Sequence, residues 1–397
     1  MAKKGLRSVD CAGKRTLVRV DFNVPLDKKD PSIITDDTRI QAALPTIRYL
    51  IDNGARVTLC SHLGRPKGKV VPEESLAPTA VKLGKLLGRK VPLAPDCIGE
   101  QVAAMRAALE PGQVLMLENT RFHAEEEKND PDFSRELAGD AELFVDDAFG
   151  SMHRAHASTV GVTDHIGVCV AGFLVEKELA MLPPVREAHG EGFIVIMGGA
   201  KVEEKIDAIK KLLPRAEKMI IGGAMSWAFF KAKGMEVGAS LCKPESVAAA
   251  RDILCEMSRV IDRLMLPVDV HMKQVDPDTG ETKYAPADGI EPGWDALDIG
   301  PATCKLYAQA VADAKIVFWN GPMGYFEKAP FDQGTIAVAQ ALADTDAYTV
   351  VGGGDSAAAM SLLGFEDKVT HVSTGGGASI EYVQGDVLPG VEALDEA

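Results

Sequence analysis

The feature that most constrains this chain is a rhythm. A short apolar, β-branched run is followed by glycine or a polar cluster, then by about ten to fifteen residues of helical periodicity, and the unit repeats. Such repetition builds βαβ units on a mostly parallel sheet, because parallel neighbours need a crossover and the crossover helix covers one face of the sheet. At 397 residues the chain is long enough for two or three domains, each with its own core. The expected fold is α/β: two Rossmann-like domains with mostly parallel sheets flanked by helices, joined by a hinge helix.

In the first half, strands are expected at 16–22, 56–60, 114–117 and 143–146. Each runs into polar residues: Asp21 and Asn23; Ser61, His62 and Arg65; Glu118, Asn119 and Arg121; Asp147, then His153 and Arg154. Ligands in open α/β sheets bind at the carboxyl ends of strands, so these clusters should converge on one rim. The second half changes vocabulary. Its expected strands, 193–197, 218–221, 316–319, 348–351 and 369–373, end in Gly198-Gly199, Gly222-Gly223, Asn320-Gly321, Gly352-Gly353-Gly354 and Gly375-Gly376-Gly377. Glycine lets the main chain approach a phosphate closely, and a following helix N-terminus adds the positive end of a dipole. One such turn is ordinary strand-to-helix geometry; five on one sheet favour a nucleotide or a similar ligand.

Between the halves, 173–192 reads as a helix ending near Pro183-Pro184, followed by a His-Gly-Glu-Gly turn, and is the candidate hinge. The stretch 274–292 reads as a hairpin with an exposed turn at Asp276-Pro277-Asp278-Thr279-Gly280. Residues 381–397 read as a loose acidic tail.

Charge and cysteine usage narrow the function. The net charge of −15 argues against a general nucleic-acid or anionic-membrane surface, yet residues 1–100 hold 18 Lys/Arg against 11 Asp/Glu. That local excess suits an early segment holding a small polyanion. The seven cysteines show no CxxC and no pairing rhythm, which indicates reduced thiols. The start MAKKGLRS lacks an apolar h-region, so a cytoplasmic, non-membrane protein is expected. There is no GxxxxGK[ST], no GxGxxG after the first strand, no HRD or DFG pair and no GxSxG, which argues against P-loop, nicotinamide-Rossmann, protein-kinase and serine-hydrolase chemistry.

Candidate chemistry sits in two clusters. Arg39, Arg65, Arg121 and Arg154, with His62 and His153, stand at strand ends and helix starts; the guanidinium fork binds carboxylate or phosphate bidentately. Singly, each is a salt-bridge residue; together they suit an anion clamp better than a histidine metal pair at His153 and His156. In Gly198-Gly199-Ala200-Lys201-Val202-Glu203-Glu204-Lys205, two lysines four apart are expected on one helix face, above a glycine turn. Asp355 in Gly353-Gly354-Asp355-Ser356 is a helix cap or a magnesium ligand. Glu125-Glu126-Glu127-Lys128 reads as a solvated face, and the Met and Phe residues of 219–235 as core.

The sequence resembles the phosphoglycerate kinase family through nearly its whole length. The segments that carry the likeness are RVDFNVPL (19–26), DDTRI (36–40), SHLGRPKG (61–68), LENTRFHAEEE (117–127), DDAFGSMHRAHAS (146–158), GGAKVEEKI (198–206), LDIGPAT (297–303), FWNGPMGYFE (318–327), GGGDS (352–356) and STGGGASIEYVQG (373–385). The resemblance implies a domain over 1–175, with 381–397 packing back on it, that binds 3-phosphoglycerate or 1,3-bisphosphoglycerate. It implies a second domain over 176–380 that binds ATP or ADP with Mg²⁺, in a monomer that bends at a hinge. It further implies that Asp21, Phe22, Asn23, Arg39, His62, Leu63, Gly64, Arg65, Arg121, His153 and Arg154 hold the phosphoglycerate. Gly199, Ala200, Lys201, Lys205, Gly223, Gly300, Asn320, Glu327, Gly353, Gly354, Asp355 and Ser356 would line the nucleotide site, with Glu327 on the ribose and Asp355 on the metal. Arg39, Lys205, Gly353 and Gly354 would serve catalysis.

Departures from the family pattern are Thr120, Ala224 and Asp386, of which Ala224 adds a methyl near the implied adenine pocket. A catalytically silent binding protein on the same scaffold is the second reading; loss of Arg39, Lys205 or Asp355 would signal it, and all three are present.

Overall fold

A computed structural model describes residues 2–397. The chain divides into two compact units, one running to Ala180 and taking in Val387–Ala397, the other Met181–Asp386. These bounds lie a few residues along the chain from the expected ones.

In the first unit, β1 (Arg15–Val20), β2 (Arg56–Cys60), β3 (Val114–Met116), β4 (Leu143–Asp147) and β5 (Cys169–Ala171) form a sheet of order β3-β2-β1-β4-β5. Every neighbouring pair is parallel. The inward-facing apolar residues of these runs, Val18, Val20, Leu59, Met116, Val145 and Val170, pack with Ile40 and Ile47 of helix Thr38–Asp52 into one core.

In the second unit, β6 (Gly190–Met197), β7 (Ala216–Ile221), β8 (Leu264–Met265), β9 (Asp269–Gln274), β10 (Thr282–Pro286), β11 (Trp294–Ile299), β12 (Ile316–Asn320), β13 (Tyr348–Gly352) and β14 (His371–Val372) build two sheets. Six form a parallel sheet of order β14-β13-β12-β6-β7-β8, and three an antiparallel sheet of order β10-β9-β11. Ile196, Trp319, Val351 and Met360 lie in the main core; Trp227, Val270 and Trp294 fill a smaller one beneath the three-stranded sheet. The expected 274–292 hairpin is the β9–β10 pair, and its partner β11 was not anticipated.

Three expectations are corrected. The residues at 201–205 are turn rather than helix: helix Ile206–Leu212 starts only after Lys205, which is its N-cap residue, so Lys201 and Lys205 share no helix face. The segment at 173–192 is two helices, Phe173–Met181 and Pro183–Glu187, and the glycines Gly190 and Gly192 open β6 instead of forming a separate turn. The tail is not loose. Leu388, Val391 and Leu394 are buried, Gly390 N donates to Met152 O at 2.9 Å and Lys4 N to Asp395 O at 2.8 Å, while Asp386 pairs with Lys211 in the second unit.

The strand-end glycines fall into two physical kinds. At Gly223, with φ +65°, a Cβ would lie 2.7 Å from Gly199 N and O and 2.8 Å from Pro322 O; at Gly198 it would lie 2.2 Å from Pro322 O. These glycines let neighbouring loops touch backbone to backbone. Around Gly354, Gly376 and Gly377 there is nothing within 4 Å of that position, so no packing contact requires glycine there. Gly223→Ala should therefore lower the melting temperature of the second unit by the equivalent of about 2–4 kcal/mol. Gly354→Ala, which fills open space at a helix start, should leave it within about 0.5 kcal/mol, as thermal denaturation will show.

Candidate functional site

In the first unit the chain leaves every strand at the same edge, and the predicted residues meet there. Asp21 follows β1 and takes the guanidinium of Arg39, the second residue of helix Thr38–Asp52, at 2.7 Å. Burial alone would raise the Asp21 carboxyl, but the guanidinium of Arg39, with that of Arg19, holds it down at about 2. Asn23 Oδ1 accepts from Gly64 N at 3.0 Å, joining the loop after β1 to the loop after β2. Asn119 closes the next step: its Oδ1 accepts from Leu63 N at 3.2 Å and its Nδ2 donates to Leu63 O at 2.7 Å. Arg121 Nη1 donates to Gly64 O at 2.8 Å, with its Nε 3.4 Å from a Glu127 carboxylate oxygen. Arg154 Nε donates to His153 Nε2 at 3.0 Å, and Arg65 and Arg154 are exposed. The side chains of Phe22 and Leu63 are buried in the core, so only their backbones reach the edge.

Beneath this rim lies Arg19, a residue the motif reading did not select, whose side chain is among the largest fully buried ones. It donates to His62 Nδ1 at 2.9 Å, to Ser158 Oγ at 2.8 Å and to the carbonyl of Val20. An arginine can only donate, so His62 Nδ1 is the acceptor and its proton sits on Nε2. Burial, reinforced by Arg19, pushes the His62 pKa well down, which keeps the ring neutral. The Ser158 hydroxyl in turn donates to Glu126 Oε1 at 2.5 Å, and its backbone N donates to Oε2 at 3.0 Å. Glu126 is fully buried, which corrects the solvated reading of 125–128 for that residue; Glu125, Glu127 and Lys128 reach solvent.

Two further buried carboxylates, Asp146 and Asp147, end β4, and burial raises each to about 7. Asp147 Oδ1 accepts from Leu174 N at 2.8 Å while its Oδ2 has no partner. A carboxyl that keeps its proton when folded and loses it when unfolded stabilises the fold at low pH; that stability drains as pH rises from about 4 to about 7, by up to about 1.4 kcal/mol per pH unit for each group. Asp147→Asn, which fixes the neutral form, should reduce the fall in melting temperature between pH 5 and pH 8 relative to the parent, measured by calorimetry.

In the second unit the corresponding edge is mostly main chain. Lys205 folds back over it, Nζ donating to Gly198 O at 2.8 Å and lying 3.4 Å from Asn320 O. Burial lowers its pKa to about 8, against the opposing pull of Asp355 and Glu204. Lys201, by contrast, is exposed and paired with Glu204, and Ala200 is exposed. Asn320 Nδ2 donates to Gly352 O at 2.7 Å, and Ser356 Oγ accepts from Gly321 N at 2.5 Å. These bonds fix the loop after β13, where Gly353, with φ +97°, precedes helix Gly354–Leu363 and Asp355 stands exposed in its first turn. Asp355 is an oxygen donor beside bare amides, a setting that fits a hard cation carried by phosphates. Gly199, with φ +91°, has only Lys205 Nζ near its Cβ position, at 3.6 Å. Gly300 differs: it precedes helix Pro301–Ala312, whose first amides already donate to Asp269 at 3.0 and 2.7 Å. That carboxylate bars a second anion there. Glu327 lies exposed in the turn after Phe326.

All seven cysteines are free, and four of them are buried. Among the described residues no helix is long and apolar enough to cross a membrane.

The fold, with strand ends gathered on one edge of each parallel sheet, is that of a two-unit α/β phosphotransferase. A family model described as phosphoglycerate kinase matches residues 6–386. The chain is 50% identical over 400 aligned residues to the phosphoglycerate kinase of Clostridium botulinum (strain Alaska E43 / Type E3), with 99% of each covered, and 51% identical to that of Chloroherpeton thalassium, with 100% of each covered. Solved phosphoglycerate kinase structures from Coxiella burnetii and Pyrococcus horikoshii OT3 match it with a TM-score of 0.83, at 37% and 31% identity, over 98% of both chains. The chain belongs to the phosphoglycerate kinase family.

Proposed function

We propose that this chain catalyses the reversible transfer of the acyl phosphate of 1,3-bisphosphoglycerate to MgADP, giving 3-phosphoglycerate and MgATP. Beyond family membership, the observation that carries the residue assignment is the division of labour between the two edges: arginine and histidine side chains on one, a desolvated lysine over open glycine amides on the other.

On the first edge, Arg39, Arg65, Arg121, His153 and Arg154 hold the phosphate and carboxylate of the phosphoglycerate, with Asp21, Asn23 and the backbones of Phe22, Leu63 and Gly64 framing them. His62, kept neutral with its proton on Nε2, donates to the substrate rather than adding charge. On the second edge, the amides of Gly353 to Ser356 and the Lys205 ammonium take the phosphates, with Lys201 supporting them from outside. The Asp269 cap on the neighbouring helix directs the phosphates away from Gly300, which with Ala200, Gly223, Asn320 and Glu327 lines the nucleoside side. Asp355 would hold Mg²⁺, which when bound neutralises charge on the nucleotide phosphates.

The chemistry asks little acid–base help. In the direction of phosphoglycerate phosphorylation the nucleophile is a carboxylate, ionised at neutral pH, so no general base is required. In-line transfer spreads negative charge over the equatorial oxygens, and Arg39, Lys205 and the Gly353 and Gly354 amides stabilise it. Arg39 belongs to one unit and the other three groups to the second. Transfer therefore calls for hinge closure, which also keeps water from the acyl phosphate. We read the protein as a cytoplasmic monomer with small-molecule substrates and no nucleic-acid or membrane partner.

In a coupled assay with 3-phosphoglycerate and MgATP, folded Arg39→Ala and Lys205→Ala proteins should each lose about two orders of magnitude or more in turnover. Because Lys205 loses its charge near pH 8, kcat/KM for nucleotide should fall above about pH 8 in the parent. A folded parent that binds both ligands yet shows no turnover would refute the reading and leave a silent binding protein.

A further inference from the structure

A second cluster of chemistry-bearing side chains lies away from the strand-end edge. Asp96 and Cys97 sit in the loop just past the bridge from Leu93 to Met116, and His123 follows the short turn Thr120–Phe122. Their carboxylate, thiol and imidazole ligand atoms all lie within 4.8 Å of one another, the only such group of three or more among the described residues. Phosphoryl transfer as argued above uses none of them.

The geometry is that of a half-built coordination shell. Cys97 is fully buried, whereas the side chains of Asp96 and His123 are 47% and 27% exposed, so the cluster has a closed inner wall and an open outer side. His123 Nε2 lies 2.7 Å from Asp96 Oδ1, and its ring packs on Phe133 with centroids 5.2 Å apart, which orients the imidazole. Cys97 N donates to the same Asp96 oxygen at 2.6 Å. A cavity of about 500 Å³, lined in part by Pro95, Asp96, Glu118 and Phe122, opens on the Asp96 side of the cluster. Tetrahedral bonds of about 2.0–2.3 Å separate donor atoms by roughly 3.3–3.8 Å, so these groups reach one centre by small side-chain rotations.

We propose that Asp96, Cys97 and His123 form a binding site for a d-block divalent cation of the zinc kind, with water as the fourth ligand. A thiolate, an imidazole and one carboxylate suit such an ion and not Mg²⁺, which takes oxygen ligands in octahedral geometry. On binding, the Cys97 S–H bond breaks and its proton leaves to solvent as the sulfur–metal bond forms. The hydrogen bond between His123 and Asp96 opens, the imidazole proton moves from Nε2 to Nδ1 by exchange with water, and the freed Nε2 lone pair and an Asp96 oxygen lone pair bind the cation. The ion joins the 96–97 loop to the turn that carries Arg121, two residues before His123, and so stabilises the folded first unit.

Titration of the full chain with Co²⁺ under a non-chelating reductant tests this directly. One equivalent should give a thiolate-to-cobalt charge-transfer band in the near ultraviolet together with visible d–d bands, and Zn²⁺ should bleach both. Cys97→Ser should abolish the charge-transfer band, and His123→Gln, at a partly exposed position that spares the core, should weaken Co²⁺ binding by about tenfold or more. Absence of the band in the parent overturns the proposal. So does a band that survives in C97S, which would belong to another thiol, or unchanged affinity in H123Q.

Discussion

Parallel pairing is the constraint on which the rest depends. Strand β1 pairs parallel with both β2 and β4, and β12 pairs parallel with both β6 and β13. Every chain crossing of these sheets therefore ends on one edge, and the central strand sets what that edge can hold. In the first unit the register places Arg19 beside Cys60 and Asp146, one step inside the rim, so a buried guanidinium lies beneath the loops that follow three strands. In the second unit it places Asn320 beside Met197 and Gly352, and the Asn320 side chain ties down the glycine loop after β13. Similar topology thus supports two edges of different character, one built on a charge and one on an amide.

Much of this was legible in the sequence because it rests on local pattern. The run RVTLC falls on β2 at the expected residues, and the five glycine-tipped runs of the second half are all strands. What was not legible depends on partners far away in the chain. Glu126 stands in a run of three glutamates, and only the fold turns it inward, to a serine 32 residues on. Arg19 looks like one polar residue in a β-branched strand, and its partner Ser158 lies 139 positions away. At 201–205 the Lys–Glu spacing mimics a helix face, yet Gly199 holds the chain at positive φ and the helix is delayed to Ile206.

The glycine-rich turns show why a motif reading needs coordinates to become chemical. Gly198, Gly222, Gly223 and Gly321 are fixed by contact: a side chain at any of them would strike a neighbouring loop or Met323. They bring three strand ends close enough for Lys205 to reach two carbonyls. Gly354 and Gly377 are fixed by nothing in the protein itself, since open space surrounds each. Where packing does not demand a glycine, bare backbone facing outward is the remaining physical consequence, and a helix that begins there points its unpaired amides at whatever approaches.

The contrast between the two lysines follows from the same geometry. Lys201 is exposed and already neutralised by Glu204, so water screens most of what it offers an anion. Lys205 is partly stripped of water, hydrogen-bonded to carbonyls rather than paired with a carboxylate, and attracted from farther off by Asp355 and Glu204, at a net cost visible in its lowered pKa. A phosphate beside it acts through a medium of lower effective dielectric, where each unit of charge counts for several times its value in water. If the proposed assignment holds, charge that develops during transfer would be felt more strongly at Lys205 than at Lys201, and the desolvation that weakens the lysine alone would sharpen its response to the transition state.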